Sequence, residues 1–258
     1  MMVTENRYKV FDAHFHVIDS RYPLFPNNGY LPDEFTCTDY IDRVRGLHVF
    51  GGAVVSGSFQ GFDQTYLVAA LEQLGSSFVG VTQLPRTVAD DEVLRLNAAG
   101  VRAIRFNLKR GGSEDVRHLE SMSRRVFELA GWHTEIYVSS EALPDLFDTL
   151  VGLPSVSIDH LGLSGNGFNT LLRLAERGVY VKATGFGRVN FDISSALRDI
   201  HAANPESLMF GTDLPSTRAP RPFKDTDMTF VIEALGNEAA KKVFWENAFR
   251  LYGLERSG

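Results

Sequence analysis

Cysteine is nearly absent: Cys37 stands alone in 258 residues, which excludes an internal disulfide and any zinc cluster built on thiolates. Long apolar runs are missing too, and none approaches the roughly 20 residues that span a bilayer. The opening "MMVTENRYKV" lacks a basic segment followed by an apolar core, so no secretory leader is expected and a cytoplasmic location is. Basic charge is in deficit, with 26 Lys and Arg against 32 Asp and Glu, a formal charge of -6. That balance argues against nucleic acid or an anionic membrane as the main partner, since both need a basic face. Fixed-period repeats, low-complexity tracts and Pro/Gly/Ser linkers are also lacking. "GLSGNGFNTLL" is glycine-rich but does not match the dinucleotide fingerprint. One domain over residues 1–258 and a small-molecule partner are therefore expected. The sequence leaves self-association open.

What the chain does have is alternation. Short runs rich in Val, Ile and Phe are separated by amphipathic segments, the pattern of parallel strands covered by helices. Strands are expected at 8–16, 49–57, 77–84, 101–108, 133–139, 155–161, 179–185 and 207–214. A representative helix, "SEDVRHLESMSRRVFELAG", opens on Ser113 with acidic residues in its first turn and closes on Gly131. Eight βα units in this length favour a closed (β/α)8 TIM barrel over an open doubly wound sheet, because closure removes the edges.

In such a barrel the chemistry gathers at the C-terminal ends of the strands. Strand one ends "DAHFH", and residues two apart share a face, so His14 and His16 are expected to point together into the mouth. Strand six ends "SIDHLG" and brings His160. Strand eight ends "MFGTDLPS" and brings Asp213. Three imidazoles and a carboxylate on one rim can hold a divalent metal, or polarise a carbonyl beside an activated water. On strand four, Arg105 shares parity with Asn107 and Lys109. An inward Arg105 either grips a ligand carboxylate in bidentate fashion or neutralises buried carboxylates such as Asp12 or Glu135. His133 opens strand five and belongs at the far end of the barrel. His48, His118 and His201 read as surface residues.

"DAHFH", "DHLG" and "GTDLPSTRAPRPF", with "NNGYLPDEFT", "VVSGSFQGFDQTYL", "VRAIRFNLKR" and "GWHTEIYV" in the same order, resemble the amidohydrolase superfamily. More narrowly they resemble its branch of 2-pyrone-4,6-dicarboxylate lactonase and sugar-lactone hydrolases, nearly end to end. The resemblance implies a hydrolase that opens a carboxylate-bearing lactone. Asp213 would take a proton from the attacking water, and His14, His16 and His160 would polarise the carbonyl directly or through a metal. It also implies substrate contacts from Tyr30, Ser58, Arg105, Arg110, Tyr137 and Arg188. The chain departs from the branch at Leu163, where a basic residue follows "DHxG", and at Leu214, Pro215 and Ser216, where the branch has Trp-Pro-His. Either no metal is used, or one Zn²⁺ is held by His14, His16 and Asp213 with weaker help from His160. The superfamily also contains metal-dependent decarboxylases of unsaturated or aromatic acids, an alternative reading; a barrel that binds an organic acid without chemistry is another.

Residues 17–36 show no period and carry Pro23, Pro26 and Pro32 beside Tyr22, Phe25, Tyr30 and Phe35. An irregular stretch of this length is usually functional, so it is expected over the mouth as a lid or a fixed wall. The loop after Asp213 carries Arg218 and Arg221, either of which would reach an acid group from the other side.

Overall fold

Each apolar run becomes a strand because its β-branched residues pack on both faces of a covered sheet. The computed structural model describes residues 8–254; residues 1–7, on which the leader expectation partly rests, lie outside them. The strands are β1 (Val10–Phe15), β2 (Val49–Val55), β3 (Phe78–Thr82), β4 (Val101–Asn107), β5 (His133–Tyr137), β6 (Val156–Ile158), β7 (Tyr180–Ala183) and β8 (Leu208–Phe210). All neighbours are parallel, in the order β1 through β8. The helices are α1 (Cys37–Val44), α2 (Thr65–Leu74), α3 (Asp90–Ala98), α4 (Leu119–Ala130), α5 (Leu143–Gly152), α6 (Phe168–Glu176), α7 (Ile193–Ala203), α8 (Asp227–Lys241) and α9 (Asn247–Leu251). The architecture is the expected (β/α)8 barrel.

Closure between β8 and β1 is made just beyond the regular strands. Asp213 N donates to His14 O at 2.7 Å and His16 N to Leu214 O at 2.8 Å. Asp12 adds a side-chain seam: its carboxylate accepts from Thr212 N at 2.8 Å, Thr212 Oγ1 at 2.6 Å and the Tyr40 hydroxyl at 3.0 Å. Gly211 is required here, because a Cβ would lie 2.8 Å from His14 N.

Strand ends are shorter than the sequence suggests. β6 and β8 stop three residues before Leu161 and four before Leu214, and the chain then turns through left-handed backbone at His160 (φ 52°), Leu161 (φ 52°) and Asp213 (φ 61°). Simple alternation also fails on β1. Its register against β2 shifts between Asp12 and Phe15, so Phe11 and Ala13 pack with Ala53, Val79, Ala103 and Met209 inside the barrel while Asp12 faces α1. The bulge then returns His14 and His16 to the mouth. The helix expected from Ser113 starts later: Asp115 caps a short turn at Arg117 N, and α4 begins at Leu119. Ser113 Oγ instead accepts from Asn107 N at 2.8 Å. Gly131 ends α4 as expected, in left-handed conformation (φ 69°).

Candidate active site

The pocket at the C-terminal mouth, ≈ 380 Å³ including the solvent at its opening, draws on seven of the eight strand ends and the loops that follow them, all but β3. Tyr30, Ser58, Arg105, Arg110, Tyr137 and Arg188 all line it, as do His16 and His160. His14 and Asp213 are buried just behind that lining. The rings of His14 and His16 are 5.1 Å apart, those of His14 and His160 4.8 Å, and those of His160 and Tyr137 5.1 Å. Asn107, Phe59, Thr217 and Arg218 complete most of the wall.

Each imidazole has a defined job imposed by its surroundings. His16 Nδ1 sits 2.7 Å from Val55 O, where only a donor is satisfied. Its Nε2 is therefore an acceptor, and it faces Asp213 Oδ1 at 4.0 Å, too far for a direct hydrogen bond. Burial holds all three rings neutral: His14 is lowered to about 3, and His16 and His160 well below the usual imidazole range. Asp213 is pushed above the usual carboxylate range by burial, with Arg188 pulling the other way. Arg188 grips it through Nε at 2.6 Å and Nη2 at 3.1 Å. Gly185 leaves room for this assembly, since a Cβ there would lie 2.6 Å from His160 Nδ1 and 2.9 Å from Arg188 Cδ.

Beneath the histidines lies a charged layer. Arg105 Nη2 donates to Asp159 Oδ2 at 2.6 Å and its Nε lies 3.3 Å from Glu135 Oε1. Lys182 Nζ pairs with Glu135 and approaches His14 Nδ1 at 3.5 Å. Arg105 thus does neutralise Glu135, together with Asp159, but not Asp12, which the β1 bulge turns outward. Lys182 and Asp159 are the residues that sequence reading missed. A signal existed for both: Lys182 sits in β7 between buried Val181 and Ala183, and Asp159 directly precedes His160.

Some of the other expectations are corrected and others are met. Arg221 pairs with Asp227 at 2.9 Å rather than reaching the pocket. His48, His118 and His201 are half-buried. Lys109 is exposed beyond the end of β4, and His133 lies at the other end of the barrel, its ring 4.9 Å from that of Tyr252. The 17–36 segment is tied down as a wall: Ile18 pairs with Phe35, Phe25 N donates to Phe59 O at 2.7 Å, and Asn27 Nδ2 donates to Arg110 O at 3.2 Å.

The metal question turns on donor chemistry. His14, His160 and Asp213 offer ligand atoms within 4.8 Å of one another, and so do His14, Glu135 and Asp159; among the described residues His16 belongs to neither group. A guanidinium covers both Asp213 oxygens in the first group, and the Lys182 ammonium sits among the second. A divalent ion placed beside either fixed cation would meet repulsion at short range in a buried site. As arranged, these donors fit a resident metal poorly.

Residues 11–254 match the amidohydrolase family. Among curated relatives, a 2-pyrone-4,6-dicarboxylate hydrolase of Comamonas testosteroni is 31% identical over 156 residues, a stretch that covers 58% of this chain and about half, 51%, of that protein. A 4-sulfomuconolactone hydrolase of Rhizobium radiobacter is 25% identical over 95% of this chain and 90% of its own. A solved Pseudomonas putida structure, proposed to be a 2-pyrone-4,6-dicarboxylic acid hydrolase, superposes with a TM-score of 0.81 at 27% identity, covering 98% of this chain and all of that one, 100%. With the family matched from β1 to beyond the last helix and the strand-end residues gathered at one mouth, the chain belongs to the amidohydrolase family.

Proposed function

We propose that this chain is a lactone hydrolase acting on a small anionic ring, and that it works without a metal. The observation that carries the reading is the pocket's charge. Four arginines, Arg105, Arg110, Arg188 and Arg218, line it, and among the described residues no carboxylate does. An anionic substrate is the chemistry such a lining recognises.

The attacking water sits between Asp213 and the acceptor nitrogen of His16. Asp213 takes one proton as the water oxygen bonds to the lactone carbonyl carbon. The resulting oxyanion is met by donors on the far wall, the Tyr137 hydroxyl and the pocket-facing nitrogen of His160 in its protonated tautomer. Collapse breaks the ring C–O bond, and Asp213 returns the proton to the leaving oxygen, giving the open hydroxy acid or, from an enol lactone such as a pyrone, the enol of a keto acid. One water is consumed, and no carbon dioxide is released. Neutral imidazoles suit this work, because a charged ring beside Asp213 would lower its basicity.

The test is a panel of carboxylated and neutral lactones, assayed before and after exhaustive chelation. Hydrolysis of the anionic rings that survives chelation supports both parts of the proposal. Loss of all activity that zinc restores would refute the metal-free part, and carbon dioxide in place of a hydroxy acid would refute lactone hydrolysis.

A further inference from the structure

The four pocket arginines differ in one respect. The inner two are already neutralised from behind: Arg105 by Asp159 and Glu135, Arg188 by Asp213. The outer two are not. Among the described residues neither Arg110 nor Arg218 has a carboxylate within ion-pair distance, and both are half-buried at the rim, on the loops after β4 and β8. In a chain with a net charge of -6, two uncompensated guanidiniums on one pocket wall are a costly arrangement unless a ligand relieves it.

Arg218 is also built into position. Its Nη1 donates to Asn27 Oδ1 at 3.0 Å, its Nη2 donates to Asn27 O, and its guanidinium lies over the Tyr30 ring at 4.2 Å. Asn27 in turn donates to Arg110 O, so one side chain joins the loops that carry both arginines. Left-handed backbone at Arg218 (φ 56°) gives the loop its turn toward the pocket. Burial, and then the neighbouring Arg110, lower the Arg218 guanidinium from its usual range, as expected of two like charges held close together.

We propose that Arg218, with Arg110, forms an anion subsite at the outer end of the pocket for a carboxylate or sulfonate that the lactone carries away from its scissile carbonyl. This rests on the lactone-hydrolase reading above and adds to it a specificity-determining residue, Arg218, and a positioning residue, Asn27. The inner end, where charge is balanced, receives the reacting carbonyl; the outer end selects the ring by its remote charge.

The experiment compares 2-pyrone-4,6-dicarboxylate with its uncharged dimethyl ester in wild type, Arg218→Gln, Arg218→Lys and Asn27→Ala. Calorimetric binding of the dicarboxylate is measured separately, with each change placed in an Asp213→Asn background to stop turnover. Arg218→Gln is expected to weaken dicarboxylate binding and raise its KM by about 10-fold or more, the scale of a lost charge-assisted hydrogen bond. The kcat and the diester KM are expected to move by less than about threefold, because a remote contact contributes equally to ground and transition states. Arg218→Lys retains part of the affinity, and Asn27→Ala loses a smaller share in the same direction. Unchanged dicarboxylate KM and Kd in Arg218→Gln, or an equal loss for the diester, would overturn the subsite. If wild type hydrolyses no lactone, the lactone reading falls while the calorimetry still decides the subsite.

Discussion

Arg188 holds the Asp213 carboxylate by both oxygens, at 2.6 Å and 3.1 Å, inside a site where burial alone would raise that carboxyl group. The guanidinium is what keeps the base ionised. Removing it in Arg188→Gln leaves burial unopposed, so Asp213 is predicted to bind its proton at higher pH. The acid limb of the kcat/KM profile should move upward, whatever the change in maximal rate. An unmoved limb would detach Arg188 from the ionisation of the base.

Gly185→Ala tests how finely the site is spaced. The new methyl would meet His160 Nδ1 at 2.6 Å and Arg188 Cδ at 2.9 Å, on left-handed backbone that costs about 1 kcal/mol for a residue with a Cβ. Because misplacement of a catalytic group by about 1 Å can cost up to about 10²-fold, kcat/KM is expected to fall at least about 10-fold. The thermal midpoint should drop by only a few degrees. Near-normal kcat/KM in a folded variant would mean that the position of His160 is not critical.

His133 gives a stability prediction with a definite sign. Its ring is buried, and burial lowers it to about 3. The folded ring stays neutral while the unfolded ring takes a proton below its ordinary pKa of about 6.5. Its effect on stability is therefore nil above that value and increasingly unfavourable as pH falls toward 3. His133→Leu removes this penalty. Relative to wild type, its unfolding free energy should be about 2 kcal/mol larger, the variant more stable, at pH 5 than at pH 8, as about 1.4 kcal/mol per pH unit requires. Urea midpoints at the two pH values measure it, and a pH-independent difference would contradict the assignment.

The barrel was legible because eight apolar runs alternate with helical patterns, and parallel strands need no more than that. The site residues were legible as strand-end positions, and every substrate contact implied by resemblance, from Tyr30 to Arg188, lines the observed pocket. Orientation was less accessible. The β1 bulge turns Asp12 outward, which no residue between Val10 and Phe15 announces, since bulges depend on the pairing partner rather than on the strand itself. Of the four residues expected to serve as metal ligands, His14, His160 and Asp213 bring ligand atoms within 4.8 Å of one another, and His16 does not join them. The bond from His16 to Val55 O joins residues 39 apart in sequence and decides which nitrogen faces the pocket. Lys182 and Asp159 are not strand-end rim positions: the network that fixes His14 lies one layer below the rim, where strand parity gives no chemical signal.

Asp213→Asn, assayed for hydrolysis of 2-pyrone-4,6-dicarboxylate and 4-sulfomuconolactone against wild type, tests the central claim most directly. If Asp213 is the base, turnover of whichever ring wild type opens falls by at least about 10² while substrate binding persists, as typical general-base contributions require. Turnover within a few-fold of wild type would contradict it.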